Sequence, residues 1–245
     1  MLALLRQTEK ARRVEPSEEL REATLDEAYL QLAENFDYYN GGFRQAPKFP
    51  SPHNLMFLLR YWKRTGDQKA LQMVEKTLNA MRLGGIYDHL GFGFHRYSTD
   101  AQWLVPHFEK MLYDQAMLTM AYTEAYLATN KGEYKQTAEE VIVYVLQKMT
   151  NSQGGFYSAE DADSEGEEGK YYLWTEEQIR QLLSKEEANL AKKVFNIEAD
   201  GNFKETTTGE KTGKNILHSK KSVVDIEYDI QISPESLQKI ISDVR

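Results

Sequence analysis

The sequence predicts an all-α fold, an α/α toroid in which helices pair around a shared hollow. Three observations predict it. Apolar residues recur at helical spacing, as at Leu25, Ala28, Tyr29, Leu32, Ala33 and Phe36. The helical stretches come in pairs, split by short breaks such as Thr65-Gly66-Asp67 and Asn130-Lys131-Gly132. Finally, a Gly-Gly pair and an apolar residue recur after predicted helices, at Gly41-Gly42-Phe43, Gly84-Gly85-Ile86 and Gly154-Gly155-Phe156. The first glycine suits the left-handed position just past a helix end, where a Cβ would clash. The second lets the chain turn into an extended aromatic stretch. One such pair is only a helix stop. Three imply repeated hairpins whose loops gather on one face, at spacings too uneven for a regular solenoid.

The elements follow in order. Residues 1–19 read as a helical lead-in, 20–218 as the toroid body, and 219–245 as a linker with a short helix at 234–244. Within the body, 20–38 is one helix and 54–64 pairs with 68–83. Residues 106–129 pair with 133–150. A helix at 175–183 opens on a capping box, Thr175 and Gln178, and one at 186–195 follows it. The strand signal is confined to 155–159 and 170–174, which flank an acidic, Gly-containing turn and read as a small β-hairpin insertion. The helix at 106–129 decides the architecture. Pro106 suits its first position. Beyond Asp114 it is apolar nearly all round, so burial on most sides is expected. Spacing of i, i+3, i+7 puts His107, Lys110 and Asp114 on one face near its start. A buried helix with a polar entrance suits an inner helix of an α/α barrel.

Bulk composition narrows the function. A net charge of −8 argues against nucleic acid as a partner, because such binders need a basic footprint. The absence of cysteine removes disulfides, thiolate metal sites and thiol redox chemistry, and favours a cytoplasmic setting. The first residues lack a secretory pattern, and no apolar run approaches the ~20 residues of a membrane span.

The stretch from Gly84 to Gln115 holds three of the five histidines, His89, His95 and His107. Asp88, Arg96, Asp100, Glu109, Lys110 and Asp114 surround them. Polar side chains this dense, in a Gly-rich loop running into an apolar helix, read as a site mouth. His107, placed in the first helical turn, is expected neutral, because unpaired N–H groups there disfavour an imidazolium. The histidine spacing fits no compact metal motif, so no metal or cofactor is expected. Tyr97, Trp103 and Tyr171 supply aromatic faces for a sugar ring while Arg96 and acids bond its hydroxyls; Trp103 and Tyr97 equally suit a loop-anchoring core role. Arg44 and Lys48 give two cations in a loop fixed by Pro47 and Pro50, either anion-binding or solvated. Glu160, Asp161 and Asp163 read as pocket-lining acids; Glu165, Glu167 and Glu168 read as solvated. A calcium loop starting at Asp161 fails at its twelfth position, Tyr172, where a bidentate Glu is needed.

The strings GGFRQAPKFPSPHNL, GGIYDHLGFGFHRYSTDAQWLVPHFEKMLYDQA, GGFYSAEDADS, EGKYYLWT and GNF…KNIL resemble the YyaL / spermatogenesis-associated protein 20 family from about Leu20 to Leu217. The resemblance implies a toroid of the six-hairpin glycosidase type, here without the family's thioredoxin-like domain. About eight helices are read where that toroid has about twelve, so an incomplete ring is expected, one that self-associates or pairs with the missing half. The resemblance implies a carbohydrate-active protein with a small, sugar-like substrate. As a glycoside hydrolase it would pair Asp88 with Asp161 or Asp163. As an epimerase or isomerase it would use His107 or His95 as base opposite an acid. As a non-catalytic toroid it would bind a ligand and partner a thioredoxin-like domain.

Overall fold

The structure, a computed structural model, describes residues 21–205, 209–219 and 221. The lead-in at 1–19 and the helix at 234–244 lie outside the described residues. Helix α1 is Glu22–Glu34, α2 Pro52–Thr65 and α3 Gln68–Leu83. Pro52 occupies the first turn of α2, and Gly66, at φ +77°, ends it in the left-handed conformation. The Asp67 carboxylate then caps α3 by accepting from Lys69 N–H. Helices α4 (Leu112–Thr129) and α5 (Gly132–Lys148) form the next pair, and α6 (Glu176–Leu182) and α7 (Lys185–Val194) the last. Both α6 and α7 open on capping boxes, the first being the expected Thr175–Gln178 pair.

Helix α4 is the central element. It packs on α5 and α2, while α2 also packs on α3 and α1. Leu55, Leu58, Val74, Leu78, Met81, Leu118, Tyr122 and Val141 fill the space between them. The Tyr122 hydroxyl satisfies itself inside this core by donating to Leu78 O at 2.8 Å. Contrary to its apolar-all-round pattern, α4 leaves one stripe uncovered: Tyr113, Met120 and Leu127 are exposed. Among the described residues no helix is long and apolar enough to cross a membrane.

The largest departure from expectation precedes α4. Residues 106–111 are extended rather than helical. Strand β1 (Tyr97–Ser98) pairs antiparallel with β2 (Pro106–His107), and β3 (Lys110–Met111) pairs with β4 (Ala159–Glu160). Glu109 O also accepts from Arg96 N at 2.8 Å. Neighbouring chain on both sides thus claims the backbone groups that a helix would have bonded internally. Side chains then alternate: Pro106, Phe108 and Lys110 are buried, whereas His107, Glu109 and Met111 are half-buried.

These ladders join the three Gly-Gly segments at one end of the helices. Lys48 bridges to Ser98, and Lys110 pairs with Glu160. The glycines serve different ends. Gly41 and Gly154 take positive φ as expected, but Gly84 does not; a Cβ there would lie 2.3 Å from Trp103 O. Segments 155–159 and 170–174 do not pair with each other. The small hairpin is formed instead by β5 (Asp163–Ser164) and β6 (Glu167–Glu168), turning at Glu165 and Gly166, both at positive φ. Strand β7 (Leu173–Thr175) pairs with β8 (Lys214–Ile216).

Candidate active site

Alternation along 106–111 divides the polar residues between two faces. On the buried face the Lys110 ammonium donates to Asp88 Oδ2 at 2.7 Å and to Phe92 O at 2.8 Å. It also lies over the Tyr144 and Tyr172 rings, 4.5 and 4.9 Å from their centroids. Asp88 Oδ1 accepts from Leu90 and Gly91 N–H. Burial pushes the Asp88 carboxyl up, but Lys110 and these bonds overcome it and hold it below its ordinary range. Glu160 accepts from Tyr144 at 2.7 Å and, on its other oxygen, from Tyr172. His95 is buried here too. Its Nδ1 donates to Phe108 O at 3.0 Å, and burial, with Lys110 nearby, brings its pKa down to about 3. A cavity of about 300 Å³ opens beside this network, lined by Asp88, Lys110, Tyr144, Glu160, Tyr171 and Tyr172 among others. Within its lining, Lys110 bonds to Asp88, and Tyr144 and Tyr172 bond to Glu160.

On the other face, His107 Nδ1 donates to Glu168 Oε1 at 2.7 Å, and its Nε2 lies 3.8 Å from Glu109 Oε2. Glu168 Oε1 also accepts from Phe108 N–H at 3.3 Å, which fixes the carboxylate. Glu109 accepts from Arg96 Nη1 at 2.7 Å. The His107 ring stacks on Tyr97 at 5.1 Å between centroids, and Tyr97 meets the exposed Phe49 at 4.8 Å. Asp114, in the first turn of α4, faces Arg96 and Glu109 electrostatically. Burial raises its carboxyl pKa to about 6, with Arg96 pulling down and Glu109 pushing up. A histidine held by one carboxylate through Nδ1, with Nε2 facing a second carboxylate beyond hydrogen-bond distance, is the geometry of an oriented proton-transfer group.

This face corrects two expectations. The helix starts at Leu112, so His107 is not in its first turn and the helix-end reason for a neutral imidazole does not apply. Nor do His107, Lys110 and Asp114 share a face, since Lys110 points to the buried one. Glu168, read as solvated, bonds His107 from 61 residues away. Glu109 counts among the polar side chains of that dense stretch but has no role assigned from sequence; its period-two spacing from His107 is informative only once 106–111 is known to be extended.

The remaining candidates lie elsewhere. Lys48 is fully buried and donates to Asp37 at 2.5 Å and Gly41 O at 2.7 Å. Burial alone would raise the Asp37 carboxyl, yet Lys48 and Asn40 hold it well below the usual range. Trp103 is fully buried, and its indole N–H donates to Asn40 O at 3.1 Å. His89 is buried between Tyr87 and Phe195, with Nε2 3.1 Å from Gly84 O; burial, then Arg82, brings its pKa down to about 3. Arg44, Asp161 and Asp163 are exposed, and the residues lining the cavity at Asp88 do not include either aspartate. Asp161 Oδ1 accepts from Asp163 N–H in the turn. Among the described residues no group of three or more His, Cys, Asp or Glu could hold a metal ion.

No protein-family model matches the chain. It is 44% identical over 210 residues to human spermatogenesis-associated protein 20, and 43% identical over 210 residues to the mouse protein. Each match takes in 77% of this chain, which spans 27% of those relatives' length. Among solved structures, cellobiose 2-epimerase from Bacillus thermoamylovorans superposes with a TM-score of 0.50 at 16% identity. That superposition covers 62% of this chain and 45% of the epimerase, and it shows a shared α/α-toroid fold.

Proposed function

We propose that this chain, a homologue of spermatogenesis-associated protein 20 with an α/α-toroid fold, takes part in carbohydrate chemistry by proton transfer beside a carbonyl. Epimerisation or isomerisation of an aldose is the reaction class. The observation that carries the reading is His107, fixed through Nδ1 by Glu168 and leaving Nε2 towards Glu109. Such an imidazole removes a proton α to a carbonyl, and Arg96 nearby favours the negative charge that develops on the oxygen. The exposed Phe49 and the Tyr97 ring give the apolar face of a sugar a surface to lie on. The fold shared with a cellobiose 2-epimerase is an analogy in the same direction.

Hydrolysis needs two working carboxyls across one cavity. Asp88 accepts three hydrogen bonds, and the exposed Asp161 and Asp163 are not among the cavity's lining residues. A second reading, a toroid that binds a ligand or a thioredoxin-like partner without turnover, draws support from the internally bonded Asp88–Lys110–Glu160 wall. In either reading the open stripe of Tyr113, Met120 and Leu127 is the surface on which further toroid helices or a second copy would pack.

The test is incubation of the full chain with D-mannose, N-acetyl-D-glucosamine, cellobiose and other aldoses, with products followed by NMR. Epimer or ketose formation that disappears in His107→Asn is expected. Release of a free sugar from an oligosaccharide, unchanged in that variant, would overturn the proposal.

A further inference from the structure

The cavity beside Lys110 is separate from the His107 cluster. None of His107, Glu109, Arg96 and Glu168 lines it, and the period of two turns Lys110 away from His107. Its floor is finished: Lys110 bonds to Asp88 and Phe92 O, and Glu160 accepts from Tyr144 and Tyr172. Its rim is not. Tyr157 and Tyr171 line the cavity while 53% and 68% exposed, and among the described residues neither hydroxyl has a hydrogen-bond partner. Lys148, in the last turn of α5, also lines it, is exposed and forms no ion pair among the described residues. A single exposed aromatic ring needs no explanation; two on one cavity, beside an unspent ammonium, mark a binding surface.

The lining also sets the class of ligand. A volume of about 300 Å³ is at the small end of ligand pockets, ~300–1,000 Å³, and suits a single sugar ring. The charged groups around it are two carboxylates, Asp88 and Glu160, and two ammoniums, Lys110 and Lys148. They balance, so neither an anion nor a cation is preferred to a neutral ligand. The tyrosine rings offer apolar faces, while their hydroxyls and Lys148 can bond a ring's hydroxyl groups. Each Glu160 oxygen keeps a lone pair beyond the one its tyrosine occupies. We propose that this cavity is a binding site for a neutral pyranose, which it holds rather than converts. The bonded floor keeps the walls in place before the sugar arrives, which lowers the cost of binding. The site stands whether or not His107 transfers protons.

The experiment titrates the full chain with methyl β-D-glucopyranoside, methyl α-D-mannopyranoside and methyl β-D-galactopyranoside, followed by calorimetry and by NMR of carbon-13-labelled tyrosine rings. A methyl glycoside has no free carbonyl, so chemistry at His107 does not enter the readout. At least one glycoside is expected to bind wild type and to shift the ring signals of Tyr157 and Tyr171. Tyr157→Ala and Tyr171→Ala should each weaken binding about 2- to 10-fold, with an unchanged denaturation midpoint because both rings are exposed. Wild type that binds none of the three overturns the site and leaves the His107 reading standing. Shifts confined to Tyr97, the ring stacked on His107, place the sugar on the other face and also overturn it. So does affinity within about twofold of wild type in the double variant Tyr157→Ala, Tyr171→Ala. Tighter binding of methyl β-D-glucuronoside or of methyl β-D-glucosaminide than of the neutral glucoside overturns the ligand class.

Discussion

Two faces of one short extended segment carry nearly the same chemistry and differ in whether it is finished. On the buried face, Lys110, Asp88, Glu160, Tyr144 and Tyr172 satisfy one another, and His95 is tied to Phe108 O. On the half-buried face, His107, Glu109, Arg96 and Glu168 are linked in a chain, while Asp114 Oδ2 and Arg96 Nε lack partners. A saturated network stiffens a fold and specifies how segments meet; an unsaturated one retains capacity for a ligand. Residue type does not separate the two, since each holds a histidine, carboxylates and a cation. Accessibility and completed bonding do.

The comparison breaks most readily at Lys110. Lys110→Met leaves Asp88 buried without its cation and is expected to cost about 3–5 kcal/mol, read as a lowered denaturation midpoint. Adding Asp88→Asn should recover a large part of it. If Lys110→Met unfolds like wild type, the buried face is not the anchor described here.

The open face should respond the other way. Glu168→Gln is expected to lower turnover about 10- to 100-fold by loosening the imidazole, with stability changed by less than about 1 kcal/mol. A stability loss as large as that of Lys110→Met would erase the distinction between the faces.

Asp114 gives the distinction a pH signature. Its folded value, about 6, lies above its unfolded value of 3.8. Between the two, the folded chain binds more protons than the unfolded one, so this group favours the fold at low pH and disfavours it as pH rises through that window. At pH 7.5, Asp114→Asn should therefore be more stable than wild type by on the order of 1 kcal/mol, a gap that closes by about pH 4. Asp88, held low by Lys110, has the opposite sign: its contribution is present above its unfolded value and lost on acidification. Denaturant curves from pH 4 to 7.5 read both.

The smallest effects belong to the exposed turn. Asp161→Asn and Asp163→Asn should each change stability by less than about 0.5 kcal/mol and leave turnover within about twofold. A hundredfold loss in either would restore hydrolysis as the leading chemistry.

Much of the fold is legible in sequence because helix pairing is local. Apolar spacing within 52–65 or 132–148, and caps such as Thr175 with Gln178, depend on residues a few positions apart. The Gly-Gly segments likewise announce helix ends, and the site-bearing stretch stands out by its density of histidine and acid. The 106–111 segment was not legible. Pro106 and an apolar tail read as one helix, yet its backbone is claimed by Arg96 on one side and by 159–160 on the other.

By itself the sequence determined that helices come in pairs, where most of them start and stop, and that the residues near Gly84–Gln115 are rich in acid–base chemistry. Only the tertiary structure decided which of these residues are spent and which are kept. That choice depends on the side to which an extended chain turns each side chain, and on distant partners such as Glu168, 61 residues from His107. A period of two sends neighbours His107 and Phe108, or Glu109 and Lys110, to opposite environments. The conformation that sets this period comes from strand pairing with distant chain, which local composition does not encode.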